Sequence, residues 1–455
     1  MTSDSPYLSV VMVSRNDDHG GNPLQRTQLC INSLFEQCNR FRLPVELIVV
    51  DWNPPPDRPG LAEIIQWPVD RRFIRTRLIT VPPEFHRSLA NSKNLPLFQM
   101  IGKNVGIRRA RGEYVLATNI DILFSDELME YLSKRPLKHG HSYRVDRFDV
   151  RPDVLTQHPE NVLSYAQDHV LRVNLKLGTF FNPWVGKAGK VVSTFSDGIV
   201  YIVGNQFTLP VTSFFLNIPK NLIDGLHSLF SLMKKVSFIV SRIITNFLIA
   251  IFRIIAPTQQ EKLKKILTFF INSGHTINNR CRAFLSLLRR GSRKKTERKN
   301  SVLLLLAFFL YRLKIFADHG LPFIHLNGCG DFTLLSKADW DRMGGYIEDP
   351  IFSWHVDSLF LIDSYYLGIR EIYLPYPKTI FHVEHGTGSG WSPGKGEELL
   401  FERLERNKTP YFRWEDCLSH AKMWQKTQDK EVLPLQKKEK DYGFLMWDLP
   451  ERVIE

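Results

Sequence analysis

The chain has 455 residues, 43% of them hydrophobic and 24% charged, a composition that excludes a disordered protein and allows a large buried core. Its net charge of +13 is uneven: positions 213–316 hold 19 Lys/Arg against 3 Asp/Glu, a net of +16, and leave −3 for everything else. The five cysteines, at 30, 38, 281, 329 and 417, show neither zinc spacing nor an even disulfide framework, which points to a reducing compartment.

In chain order, Leu8 to Val13 reads as an apolar strand ending in Ser14-Arg15-Asn16-Asp17. Val45 to Val50 reads as a second, ending in Asp51-Trp52-Asn53-Pro54, where the prolines stop a sheet. A carboxylate placed like Asp51 can accept an N–H from a base edge, with Trp52 as an apolar surface nearby; capping an Asx turn is its other use. From Asn104 to Asp121 the chain reads N-V-G-I-R-R-A-R-G-E-Y-V-L-A-T-N-I-D. Ile107 and Ala110 sit at helical spacing, Gly112 is expected to stop that helix, and Tyr114 to Ala117 is a run of the kind found in central parallel strands. Asn119-Ile120-Asp121 then falls outside the carboxyl end of a strand, where open α/β sheets bind ligands.

After a long interruption, N-G-C-G-D-F-T-L-L-S-K-A-D-W-D-R-M-G-G-Y runs from Asn327 to Tyr346, with Gly328, Gly330, Gly344 and Gly345 permitting close ligand approach. Trp354-His355-Val356-Asp357-Ser358 opens a helical stretch, Leu359 to Leu367, with the acid in or near its first turn, where it also complements the helix dipole. Ile380-Phe381-His382-Val383-Glu384-His385-Gly386 reads as a strand entering a glycine-rich loop that ends at Trp391. Strand alternation places His382 and Glu384 on one face and His385 on the other, so a regular strand does not bring all of them to one ion.

The A-R-G-E-Y segment running into Asn119-Ile120-Asp121 resembles the GT-A glycosyltransferases, most closely the family 2-like members. Their D-x-D motif holds a divalent metal on the sugar-nucleotide diphosphate, and Asn119 stands here in place of its first acid. The Asn327 to Tyr346 segment is similar to the acceptor-side segment of galactosyltransferase-like GT-A enzymes, whose E-D or E-D-x-D is replaced here by His355 and Asp357. The resemblance covers roughly residues 8–205 and 317–392.

The resemblance implies an α/β, Rossmann-like GT-A fold, a mixed sheet flanked by helices, interrupted by a basic helical insertion. Its parts are expected at 1–207 (nucleotide-sugar half), 208–316 (insertion), 317–392 (acceptor and catalytic half) and 393–455 (helical tail). It implies donor contacts from Ser14, Asn16, Asp51, Asn104, Arg108, Asn119 and Asp121, with Asp51 on the base. It further implies acceptor contacts from Gly330, Asp331, Trp354 and His355, with the acceptor side continuing through Tyr143 to Arg147 and residues 151–207. Metal is expected on Asp121, with His385 and His382 as candidate ligands; hard oxygen donors favour Mg²⁺ or Mn²⁺, and a histidine tilts the choice to Mn²⁺. Asp357 is expected to be the base, because an acceptor hydroxyl must lose its proton as it attacks the anomeric carbon.

The expected function is metal-dependent transfer, with inversion, of a hexosyl or N-acetylhexosaminyl group from a nucleotide-sugar to a glycan or lipid-linked acceptor. The rivals are a degenerate GT-A domain serving as a membrane-associated scaffold, which Asn119 favours, and a nucleotidyltransferase. The insertion carries the basicity. Val236 to Ala256 is apolar with a polar stripe that includes Arg242 and Arg253, and Lys262, Lys264 and Lys265 alternate with Leu263, Ile266 and Leu267. Arginines make a bilayer span costly, and a hairpin crossing at Val236 to Ala256 and Val302 to Tyr311 would put the basic block Arg289 to Lys299 outside. Helices lying on an anionic membrane surface fit better; a packed hairpin is the bland alternative, and no nucleic-acid module is recognisable. With no signal peptide in M-T-S-D-S-P, the expected location is cytoplasmic, peripheral at the inner face of the membrane.

Overall fold

The computed structural model describes residues 6–17, 21–176, 178–181, 191–195, 199–203, 319–385, 398–427 and 442–455. The expected helices of the insertion, its basic block and the loop ending at Trp391 lie outside these residues. The chain divides into two compact units, one of Met1–Phe195, Val200–Phe207 and Leu306–Glu455, the other of Ser196–Ile199 and Thr208–Leu305. Among the described residues, no helix is long and apolar enough to cross a membrane.

The first unit is an α/β structure with a mixed sheet flanked by helices. Its first part runs β1 (Leu8–Ser14), α1 (Pro23–Phe41), β2 (Val45–Trp52), α2 (Leu61–Ile64), β3 (Ile74–Val81), α3 (Pro83–Ser88), α4 (Gln99–Arg109), β4 (Tyr114–Thr118), β5 (Ile122–Phe124), α5 (Asp126–Ser133), β6 (His141–Val150), α6 (Val162–Asp168), β7 (Val170–Leu175) and β8 (Gly178–Phe181). Among the described residues, strands β9 (Val191–Phe195) and β10 (Ile199–Val203) pair with each other in a separate two-stranded sheet. The chain resumes with β11 (Phe332–Ser336), α7 (Lys337–Met343), α8 (Val356–Tyr366), β12 (Arg370–Val383), α9 (Glu398–Arg406), α10 (Trp414–Lys426) and β13 (Glu451–Ile454).

Strands β1, β2 and β4 are buried throughout, which explains their unbroken apolar runs. Alternation sends Val10 and Leu47 into a core with Leu34 and Phe35 of α1, while Val11 and Ile48 enter another with Ile101 and Val105 of α4. The main sheet has the order β13-β3-β2-β1-β4-β11-β6-β12-β5, with β7 and β8 continuing from β6. Strands β3, β2, β1 and β4 are parallel, so the ends of β1 and β2 coincide and Ser14 lies opposite Asp51. Strand β11 runs antiparallel to β4, which sets its first residue, Phe332, beside the last of β4, Thr118. Strand β12 is parallel to β6 and antiparallel to β5, so His382 lies opposite both Asp149 and Ile122. Opposed strand directions thus bring distant segments to one edge of the sheet.

Helix α4 packs tightly on the strands through Gly102 and Gly106, one turn apart. A Cβ at Gly106 would lie 2.4 Å from a Val11 methyl, and one at Gly102 2.8 Å from a Val13 methyl. Gly112 does not end this helix, as the sequence suggested: α4 stops at Arg109, with Ala110 already extended. The smallness of Gly112 serves close approach, since a Cβ there would meet the Ser9 amide nitrogen at 2.5 Å.

The tail is not purely helical. Tyr442–Phe444 packs against α4, where the Arg109 guanidinium donates to the carbonyls of Gly443, Phe444 and Trp447. Strand β13 then extends the sheet at β3, and Arg77 bridges Glu46 and Glu451 across the junction. Gly106→Ala is expected to cost about 1–3 kcal/mol by overpacking, read as a lower urea midpoint with unchanged slope.

Candidate metal and ligand site

Asp121 lies in the turn between β4 and β5, immediately before Ile122, and is 5% exposed. Its Oδ2 lies 3.3 Å from His385 Nε2 and 3.6 Å from His382 Nε2, and it also accepts from Arg26 Nη1 at 2.5 Å. Its Oδ1 is buried with no hydrogen-bond partner among the described residues. Burial raises the Asp121 carboxyl, but the facing His382 and His385 outweigh it and hold the group well below the usual carboxylate range. One ligand atom each from Asp121, His382 and His385 lies within 4.8 Å of the others, so the three form a group able to hold a metal ion. The 3.3–3.6 Å separations suit ligands each about 2.0–2.2 Å from a shared ion.

Strand alternation set His382 and His385 on opposite faces, yet both reach Asp121. The reason is that β12 ends at Val383, so Glu384 and His385 have left the strand and the alternation no longer applies. Glu384 instead pairs with Arg172 at 2.8 Å. A neighbouring group, Asp149, His382 and Glu384, also has ligand atoms in reach of one another, but Arg147 and Arg172 already neutralise it. Asp149 contributes differently: its carboxylate meets His382 Nδ1 at 2.8 Å, which leaves Nε2 facing Asp121.

Asn119 is turned away from this group. Its Oδ1 accepts from Lys103 Nζ at 2.6 Å and from Gln99 Nε2 at 2.7 Å, which occupies both lone pairs, and its Nδ2 donates to Asp331 Oδ1 at 2.5 Å. Asp331 also pairs with Arg147, so the expected acceptor residue sits in a salt-bridged chain between β4 and β6. Lys103, which the sequence reading passed over, is fully buried and also donates to Gly330 O at 2.7 Å. Burial lowers its ammonium to about 8 against the pull of Asp331, Asp357 and Asp121. Its signal was a lysine spaced with Met100 and Ile107 on the inward stripe of a helix.

Asp357 stands in the first turn of α8, half-buried, with Oδ1 accepting from the Ser358 amide at 2.9 Å. Gly330 packs close beside it: a Cβ there would lie 2.9 Å from Asp357 Oδ2. The preceding His355 holds a left-handed φ of 62°, and its ring tilts against Trp354 and Trp414. Trp354 packs edge-on against Phe401 of α9. Arg144 of β6 donates to the carbonyls of His325, Asn327 and Cys329, which fixes the loop that delivers Gly330 and Asp331.

On the other side of β1, Asp51 Oδ2 accepts from the Leu61 amide at 2.9 Å, while Oδ1 is buried with no partner among the described residues. Burial raises this carboxyl to about 6, opposed by the Leu61 N–H and by Arg15. Asn16 donates to Pro59 O at 2.8 Å and so pins the loop after β2; Ser14 is buried beside Asp51. Trp52 offers no ligand surface: it is wholly buried, edge-on to Phe85, His86 and Phe98, because alternation turns it from Asp51 into the core. Asn104 and Arg108 are engaged by the fold. Asn104 bonds Tyr346 O, the Tyr346 amide and Glu348, while Arg108 pairs with Asp341.

Asp149→Asn is expected to destabilise the protein by about 3–5 kcal/mol, since it leaves buried Arg172 and half-buried Arg147 undercompensated. In whatever folded fraction remains, metal affinity should fall about 10–100-fold as His382 loses its orienting partner, as measured by calorimetry.

The chain matches no family model and no curated protein, so its functional reading rests on this geometry.

Proposed function

We infer that the chain is a GT-A glycosyltransferase of the family 2-like kind, acting on a nucleotide-sugar with a divalent metal and transferring the sugar, with inversion, to a glycan or lipid-linked acceptor. The observation that carries this reading is the meeting of Asp121, His382 and His385 beyond the carboxyl end of β4, one of the parallel strands of the mixed sheet, with Asp357 as a separate, half-buried carboxylate. Such edges are where α/β sheets take nucleotides. The unpartnered Asp51 Oδ1 at the same edge is an acceptor suited to a base N–H.

A metal held by Asp121, His382 and His385 would neutralise the charge that develops on the leaving diphosphate. Two imidazoles beside one carboxylate favour Mn²⁺ over Mg²⁺. Asp51 accepts from the base and orients the nucleotide. Asp357 takes the proton of the acceptor hydroxyl as its oxygen bonds to the anomeric carbon and the bond from that carbon to the diphosphate oxygen breaks. Asp331 and Gly330 line the approach to Asp357, with Trp354 and His355 at the start of its helix. The basic insertion at 208–316 places the enzyme on an anionic membrane surface, at the cytoplasmic face, where a lipid-linked acceptor is presented.

A scaffold without activity is the second reading, favoured by one observation: Asn119 replaces an acid and its oxygen is fully engaged. One screen decides between them. Sugar nucleotides are incubated with the protein and Mn²⁺ or Mg²⁺, and hydrolysis or transfer is followed. The enzyme reading expects turnover that is abolished in Asp121→Ala; in Asp357→Asn, transfer should drop about 10²–10⁴-fold with donor affinity kept. No turnover with any donor would leave the scaffold.

Nucleotide binding should also depend on pH through Asp51. Its raised value, about 6, means that the stronger, ionised acceptor is present above that pH and is lost as pH falls through it. Affinity for a nucleoside diphosphate without metal is expected to decline below about pH 6, and Asp51→Asn should flatten that decline in a calorimetric titration.

A further inference from the structure

Asp121 Oδ2 is shared: His382 and His385 approach it with Nε2 atoms, and Arg26 of α1 donates to it from Nη1 at 2.5 Å. Arg26 is 3% exposed and is held in place by Nε and Nη2 bonds of 3.2 and 3.0 Å to Gly21 O. The other Asp121 oxygen, Oδ1, is buried and unpartnered among the described residues. The carboxylate thus has an oxygen facing a fixed cation and an oxygen still lacking a donor. A divalent ion seated among Asp121, His382 and His385 would stand within a few ångströms of the guanidinium, in a site shielded from solvent. Like charges at that range repel strongly, so the ion and Arg26 compete for the same carboxylate. A diphosphate removes the conflict, because its oxygens can bind the metal and accept a bidentate pair from the guanidinium at once.

We propose that Arg26 is a resident counter-cation that transfers from Asp121 to the diphosphate of the incoming ligand, so that metal alone binds weakly and metal with diphosphate binds tightly. This rests on the metal-site reading above and adds its regulation: an ion does not settle in the site until a diphosphate accompanies it. The coupling is reciprocal, as any linkage between binding free energies must be.

The test uses the full chain, Mn²⁺ alone followed by electron paramagnetic resonance, and Mn²⁺ with inorganic pyrophosphate. Arg26→Met is expected to bind Mn²⁺ alone about tenfold or more tightly than the wild type, and manganese pyrophosphate about tenfold or more weakly, the size of a usual coupling. Arg26→Lys, which keeps the charge, should hold Mn²⁺ near the wild-type affinity. If Arg26→Met does not fold by circular dichroism, Arg26→Gln carries the same two expectations. Mn²⁺ binding that is lost in Asp121→Asn yet unchanged or weakened in Arg26→Met would overturn the proposal and leave the metal site standing. Mn²⁺ binding that is absent in every variant, or indifferent to Asp121→Asn, would overturn the metal site itself, and the proposal with it.

Discussion

Asp149 is the carboxylate on which the arrangement depends. It is wholly buried near the end of β6, where it accepts from Arg147, Arg172, Asn174 and His382. Burial works against its charge, and the two guanidiniums reverse that, holding the acid far below its ordinary range. From Asp149 the alternation of charge passes through Arg147 to Asp331, through Asn119 to Lys103, and back to the Gly330 carbonyl beside Asp357. Buried ions persist only where each is matched, so this chain of partners ties β6 and the end of β4 to the loop that precedes β11. The candidate metal ligand His382 is therefore held directly by this network, and the Gly330 loop beside Asp357 is anchored to it through Lys103.

Much of the parallel half was legible because its strands have no solvent face. Leu8 to Val13, Val45 to Val50 and Tyr114 to Ala117 advertise themselves as apolar runs, and acids just past such runs fall at the carboxyl edge of the parallel strands. The antiparallel half hides itself. Strand β6 carries Arg144, Asp146 and Asp149 on buried positions and Arg147 on a half-buried one, a pattern that reads as a surface until the counter-charges from 325–331 and 382 are seen. The convergence of His382 and His385 depended on where β12 stops, a boundary that alternation cannot supply. Asn104 and Arg108 looked like ligand groups because they are polar and near the motif, whereas Tyr346 and Asp341 of α7 claim their hydrogen bonds.

Asn119 shows how a single change of side chain redistributes a site. An acid there would face Asp331 at hydrogen-bond range and repel it; the amide instead donates to Asp331 while accepting from Lys103 and Gln99. The position becomes a connector between charged neighbours, while Asp121 stands apart from it, beside the imidazoles of His382 and His385. A metal held there would meet nitrogen as well as oxygen donors.

The junction of β3 with β13 has a consequence for the newly made chain. Arg77 and Glu451 are separated by 374 positions, so β3 must wait for a distant segment before its outer edge is paired. At a synthesis rate of about 5–20 residues per second, that interval lasts roughly 20–75 s. Throughout it, β3 presents an open row of backbone donors and acceptors, and the Arg77 guanidinium has only Glu46 as an acidic partner. The edge is blunted by the strand itself: Arg75 is exposed along it and Arg77 waits beside it, charges that discourage pairing with a second nascent chain until residues 451–454 arrive.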